Sequence, residues 1–134
     1  MKINTKIRYG LRMLVMLAER GQVVNTAELG EQMLVSPKYL RKLAGPLEKN
    51  SLIKSVQGIY GGYLLNKKPE EITLSDIFNA FSERINITSC TSGENCPLNV
   101  QCLTRPVWEH LEKLIQKEFY RLTLKDILTK NFSL

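Results

Sequence analysis

Three cysteines, Cys90, Cys96 and Cys102, stand at C-x5-C-x5-C spacing within thirteen residues, and the 134-residue chain has no others. An odd number of thiols in so short a stretch argues against a disulfide framework and for metal or redox chemistry. Thiolates are soft ligands that suit iron–sulfur clusters or zinc, not magnesium or calcium. Zinc sites more often use cysteine pairs two to four residues apart, and this segment has none. Five-residue spacers, punctuated by Gly93 and Pro97, leave room for an irregular loop to wrap a larger inorganic unit. Zinc, a regulatory disulfide and three free thiols remain open beside the cluster.

A second group of residues carries charge rather than redox chemistry. Residues 1–68 hold twelve Lys/Arg against four Asp/Glu, a net +8, while residues 69–134 are net −2 within a chain of net +6. A basic front half points to a polyanionic partner. The cations fall on a recognisable frame. Asn25 and, three residues on, Glu28 read as a capping box opening a short helix over Thr26–Leu34. After a break at Val35, Ser36 and Pro37 supply an N-cap and a first-turn proline for a second helix. Its apolar side carries Tyr39, Leu40, Leu43 and Leu47. Ser36, Lys38, Tyr39, Arg41 and Lys42 lie at or near its exposed N-terminal end, as in the recognition helix of a helix-turn-helix. Leu52–Gln57 and Tyr63–Leu65 then read as strands around Gly58-Ile59-Tyr60-Gly61-Gly62, a hairpin in the position of a wing. Lys54, Gln57 and Tyr60 are placed to reach phosphates or the minor groove, and the glycines are expected to let backbone approach closely.

The remaining elements position these two groups. Ile7, Leu11, Leu14, Val15 and Ala18 predict a helix over 4–20, with Thr5 as N-cap, Gly21 as stop, and Lys6, Arg8 and Arg12 interleaved with the apolar face. Lys6 and Arg8, at its N-terminal end, are expected against a phosphate backbone. Ser75–Phe81 predicts a short connecting helix, and Ile85–Thr104 an irregular loop. From Pro106 a long helix carries one stripe, Trp108, Leu111, Ile115, Phe119 and Leu122, widened by Val107 and Leu114. Pairing with the same helix of a second chain is the expected cover for that face. Such a homodimer sets two recognition helices about 34–36 Å apart on double-stranded DNA. Leu124–Thr129 predicts a last short helix.

These elements define a mainly α fold with a small β-hairpin. Residues 1–68 form a winged helix-turn-helix, 69–87 a connecting helix, 88–104 the cysteine loop, and 105–134 a dimerisation helix and C-terminal segment. The composition, 43% hydrophobic and 24% charged, excludes disorder and collagen-like structure. The longest apolar run, Met13–Ala18, is too short to span a membrane, and no apolar leader opens the chain. A cytoplasmic protein with no membrane partner is the expectation. One histidine, and no glycine-rich phosphate loop or nucleophile–base–orienter set, argue against an enzyme.

Several of these stretches resemble the iron–sulfur cluster regulator (IscR-type) family of bacterial winged-helix transcription factors. They are Met1–Gly10, Ser36-Pro37-Lys38-Tyr39-Leu40, Leu47–Ile53 and Gly61-Gly62-Tyr63-Leu64-Leu65. The C-x5-C-x5-C loop, with Cys102-Leu103-Thr104 leading into a Trp-bearing helix, extends the resemblance over nearly the whole chain. It implies a homodimeric repressor or activator whose DNA binding responds to a 2Fe-2S or 4Fe-4S cluster held by the three cysteines. The chain departs from that pattern at the fourth ligand. IscR-like members carry a histidine three residues after the last cysteine, where this chain has Arg105. Nitric-oxide-sensing relatives carry an acidic residue near the N-terminus, where this chain has Arg8. The only histidine is His110, and Glu94 and Glu109 are poorer donors. The resemblance thus implies an unconventional fourth ligand or an open iron. Two other functions stay in play: a DNA-binding regulator with a zinc or thiol-switch loop, and a small redox or cluster-carrier protein.

Overall fold

The computed structural model describes residues 2–93, 95–98 and 101–133. The first helix, α1 (Thr5–Arg20), starts one residue inside the expected range, and its cap falls one residue before the expected one. Asn4, not Thr5, is the N-cap, its side chain accepting from the Lys6 backbone N–H at 2.7 Å. Asn and Thr are both good caps, and here they are adjacent. Gly21 ends the helix in the left-handed conformation, and its N–H donates to the Leu17 carbonyl. The second helix, α2 (Thr26–Met33), is capped by Asn25, which accepts from Ala27 N–H at 2.8 Å. Glu28 does not close the predicted capping box. It pairs with Arg20 of α1 and accepts from Gln32, so a tertiary partner outcompetes the local one. The turn then falls at Leu34, whose φ of 57° makes it left-handed, rather than at Val35. Ser36 accepts from Tyr39 N–H at 3.1 Å and opens α3 (Pro37–Lys49), which continues through Pro46.

The wing is an antiparallel pair, β1 (Ile53–Val56) and β2 (Gly62–Leu65), in register from Ile53 opposite Leu65 to Val56 opposite Gly62. Gly61 and Gly62 approach the protein's own backbone closely, as a tight hairpin requires. A Cβ on Gly62 would lie 2.0 Å from the Val24 carbonyl oxygen, and one on Gly61 the same distance from that of Val56. Both glycines are buried. Their bare backbone lets Tyr63 and Val24 exchange two hydrogen bonds, which fasten the wing to the start of α2. Met13, Leu14, Leu29, Leu40, Leu43 and Leu47 are at most 1% exposed and form the centre of the core. Burying each such side chain is worth about 1.5–3 kcal/mol.

After a 3-10 turn at Pro69–Glu71 come α4 (Leu74–Ala80), a second 3-10 turn at Ser89–Thr91, α5 (Arg105–Arg121) and α6 (Leu124–Thr129). The starts of α4 and α6 are near-copies. Thr73-Leu74-Ser75-Asp76-Ile77 and Thr123-Leu124-Lys125-Asp126-Ile127 each form a capping box, and the two threonines pair as an antiparallel bridge. Leu74 N–H donates to Leu122 O and Leu124 N–H to Ile72 O, both at 3.0 Å. The C-terminal segment is therefore bonded to the chain at the start of α4, with Leu124 in the core. Among the described residues no helix is long and apolar enough to cross a membrane.

The single apolar stripe expected on α5 is divided. Ile115 and Phe119 pack on this chain's own core, Phe119 with its ring 4.7 Å from that of Phe78. Leu122 lies beyond the helix as its C-cap. Trp108 is half-buried, and Val107, Leu111 and Leu114 remain 49%, 40% and 49% exposed. The uncovered face is therefore Val107, Leu111 and Leu114 with Trp108 at its margin.

Candidate nucleic-acid interface and cysteine segment

The helix pair and wing present the expected cations to solvent. Lys6 and Arg8 on α1, Lys38, Arg41 and Lys42 on α3, and Lys54 on β1 are all exposed. The three ion pairs among the described residues are Arg20–Glu28, Arg105–Glu109 and Arg121–Glu118, and none involves those six side chains. Glu48, the one carboxylate of α3, accepts from the Ser55 hydroxyl at 2.9 Å and so is turned to the wing. Six like charges without partners repel one another, and a polyanion relieves that cost.

Two of the predicted contacts also have structural work. The Ser36 hydroxyl caps α3. The half-buried Tyr39 ring meets Tyr9 edge-on at 5.8 Å, which locks the recognition helix to α1. Arg12 sits 5.0 Å over the Tyr9 ring as a cation–π contact, extending the charged face from α1. Gln57 is exposed beside the wing tip, where Ile59 and Tyr60 are 85% and 89% exposed. Sequence reading placed Tyr60 in the interface and passed over Ile59. Its signal was an apolar residue between turn glycines, the kind of side chain that wedges into a minor groove.

The cysteine segment is built differently. Cys90 lies in the turn Ser89–Thr91, and Cys102 lies two residues before Thr104, the N-cap of α5. All three cysteines are free and half-buried. The Thr104 hydroxyl makes no capping bond to the helix and lies 3.2 Å from Cys102 Sγ. That hydroxyl, with the backbone N–H groups of Thr104 and Arg105, holds the Cys102 thiol below its usual range, because donors at a helix N-terminus favour thiolate. The other candidate donors are not poised as a fourth ligand. Glu109 is bonded to Arg105 at 2.8 Å, His110 is exposed on α5, and Glu94 lies outside the described residues. Among the described residues no three His, Cys, Asp or Glu side chains are gathered to hold a metal ion. The thiols thus fit a soft metal or cluster in chemistry, and among the described residues they form no converged site with a fourth protein donor.

The chain that leads into the segment is bonded to α1 and to α5. Ile87 N–H donates to Glu112 of α5 at 3.4 Å, and the Asn4 amide, on the cap of α1, donates to Glu83 at 3.2 Å.

Residues 3–130 match the family model of Rrf2, described as an iron-dependent transcriptional regulator. The chain is 36% identical over 132 residues to protein rrf2 of Nitratidesulfovibrio vulgaris, covering 96% of this chain and 87% of that one. It is 32% identical over 133 residues to the helix-turn-helix transcriptional regulator IscR of Aliivibrio salmonicida, covering 98% and 79%. Among solved structures it is similar to CymR, the global cysteine regulator of B. subtilis, with a TM-score of 0.81, 28% identity and 98% of each chain covered.

Proposed function

Since the chain belongs to the Rrf2 family of transcriptional regulators, we propose that it reads double-stranded DNA as a cytoplasmic homodimer and sets its affinity by the state of an iron–sulfur cluster on Cys90, Cys96 and Cys102. At the level of class it is a DNA-binding transcriptional regulator with a winged-helix fold and not an enzyme. The observation that carries the DNA reading is the set of six unpaired cations spread over α1, α3 and the wing. Lys38, Arg41 and Lys42 approach the major groove; Lys6 and Arg8 hold backbone phosphates; Lys54, Gln57 and Tyr60 serve the wing.

The dimer forms through the uncovered face of α5, Val107, Leu111 and Leu114, with Trp108 at its edge. Ile115, Phe119 and Leu122 support that helix from within the protomer.

The cluster reading rests on the resemblance of the loop and on three soft donors in one segment. When bound, such a cluster supplies a redox- and ligand-sensitive iron, and three thiolates leave one coordination position for a non-cysteine donor. The Glu83–Asn4 and Ile87–Glu112 bonds tie the chain that leads into the cysteine segment to α1 and α5. A change at the thiols therefore bears on both the DNA-reading and the dimer-forming helices. Affinity for the DNA upstream of its own gene, compared between anaerobically isolated and chelator-treated protein, tests the coupling. A change of tenfold or more is expected, and equal affinities overturn it.

A thiol switch is the second reading, favoured by the Thr104-assisted thiolate character of Cys102 and by the absence of a gathered metal site among the described residues. Under that reading peroxide alters DNA binding in iron-free protein.

A further inference from the structure

We propose that a groove beside the recognition helix, lined by Lys6, Lys42 and Lys49, is a second phosphate-binding subsite that takes the DNA backbone flanking the bases read by α3. The inference rests on the DNA-binding reading above and extends it to Lys49 at the far end of α3 and to the end of α4. The groove encloses about 670 Å³ between the start of α1, the second half of α3 and the end of α4. None of its nine lining residues is acidic, and its three lysines come from two different helices. None of those lysines takes part in an ion pair among the described residues. Lys42 and Lys49 are seven residues apart on α3, two helical turns or about 10.5 Å along the axis.

Several carbonyls at the two helix ends already accept hydrogen bonds, and the three lysines must outweigh the negative ends of both helix dipoles. At the end of α4, Ile77 O accepts from Phe81 N–H, Phe78 O from Glu83 N–H, and Asn79 O from Ser82 N–H. At the end of α3, Pro46 O accepts from both the backbone and side-chain amides of Asn50, Leu47 O from Leu52 N–H, and Glu48 O from Ser51 N–H. Three ammonium groups remain, with the Asn79 amide and the Ser82 hydroxyl, both exposed and in no hydrogen bond among the described residues. Donors on three sides of a groove that no carboxylate lines suit a phosphodiester, and continuity with Lys42 makes that phosphodiester part of the bound duplex.

The test is the salt dependence of binding to a fluorescein-labelled 30-base-pair duplex of mixed sequence, followed by anisotropy from 50 to 200 mM KCl. Lys49→Gln is expected to make the slope of log K against log [KCl] shallower by about 1, so that it loses about 3.5-fold less affinity than wild type across that range. Lys49→Arg is expected to restore the wild-type slope, and Lys125→Gln, on α6 away from the groove, to leave it unchanged. Lys49 is exposed, and thermal melting verifies that each variant is folded. A wild-type slope in Lys49→Gln overturns the groove while leaving the DNA reading intact. Wild-type protein with no salt-dependent binding overturns both. Inorganic tripolyphosphate, titrated by calorimetry, distinguishes a free-phosphate site: binding lost in Lys49→Gln together with an unchanged DNA slope overturns the DNA assignment.

Discussion

The helix pair and wing hold their exposed side chains on elements fixed at both ends: Asn4, Asn25 and Ser36 cap three helices, and Gly61 and Gly62 seat the hairpin against its neighbours. Beneath them lie leucines and methionines with almost no exposure. The cysteine segment has one three-residue turn, no fully buried cysteine, and a Thr104 hydroxyl drawn off α5 toward a thiol. Under the proposed function, charge that must meet a regular duplex needs a rigid frame, whereas thiols that exchange a metal or an oxidation state need access. The two regions divide those demands, and the bonds at Glu83 and Glu112 are where they meet.

The comparison can be broken most severely from the core. Leu40→Ala removes a fully buried side chain from beneath the recognition helix and is expected to cost about 2–5 kcal/mol in urea unfolding. Serine at any one cysteine is expected to shift stability by less than about 0.5 kcal/mol in metal-free protein, as for other substitutions away from packed features. Equal losses in the two regions would contradict the division.

Next in size is charge. Replacing Lys38, Arg41 and Lys42 together by glutamine is expected to lower the salt slope of DNA binding by about 3. The dimer seen by sedimentation should not change. An unaltered slope would move the interface away from α3.

Much of the first region was legible in the sequence because its signals are local. Apolar spacing placed α1 and α3, and Ser36-Pro37 marked the recognition helix to the residue. The misses share a cause. Glu28 left its capping box for Arg20, Phe119 turned inward onto Phe78, about forty residues earlier, and Ile115 packs on the same core. Lys49 looks ordinary along the chain and joins Lys6 and Lys42 only once α1, α3 and α4 are packed. The return of the C-terminus had a readable sign, the repeated Thr-Leu-x-Asp-Ile of α4 and α6, whose meaning depends on a pairing between distant segments. The cysteine segment showed its chemistry in spacing alone, and its placement followed no periodicity.

A smaller effect sharpens the contrast at a single thiol. Thr104→Val removes the hydroxyl that contributes most to stabilising the Cys102 thiolate, so the thiol's pKa should rise toward the ordinary value. Alkylation of Cys102 by iodoacetamide should then reach half its maximal rate at a higher pH and slow at neutrality, with DNA affinity of the metal-free protein unchanged. An unshifted pH profile would show that the hydroxyl does not tune this thiol. Asp126 offers a matched case in the framed part of the molecule. Its carboxyl is held low chiefly by the Thr123 backbone N–H. The stability it lends is therefore present above the ordinary carboxylate pKa and is lost as the pH falls through its depressed value. Asp126→Asn should flatten that acid limb of the melting curve.

Iron and acid-labile sulfide, counted per chain in anaerobically isolated protein, test the sensing claim most directly. The account predicts stoichiometric amounts of both and a visible absorption band, all lost when Cys90, Cys96 or Cys102 is changed to serine. Colourless, iron-free wild-type protein that still binds its DNA would contradict it.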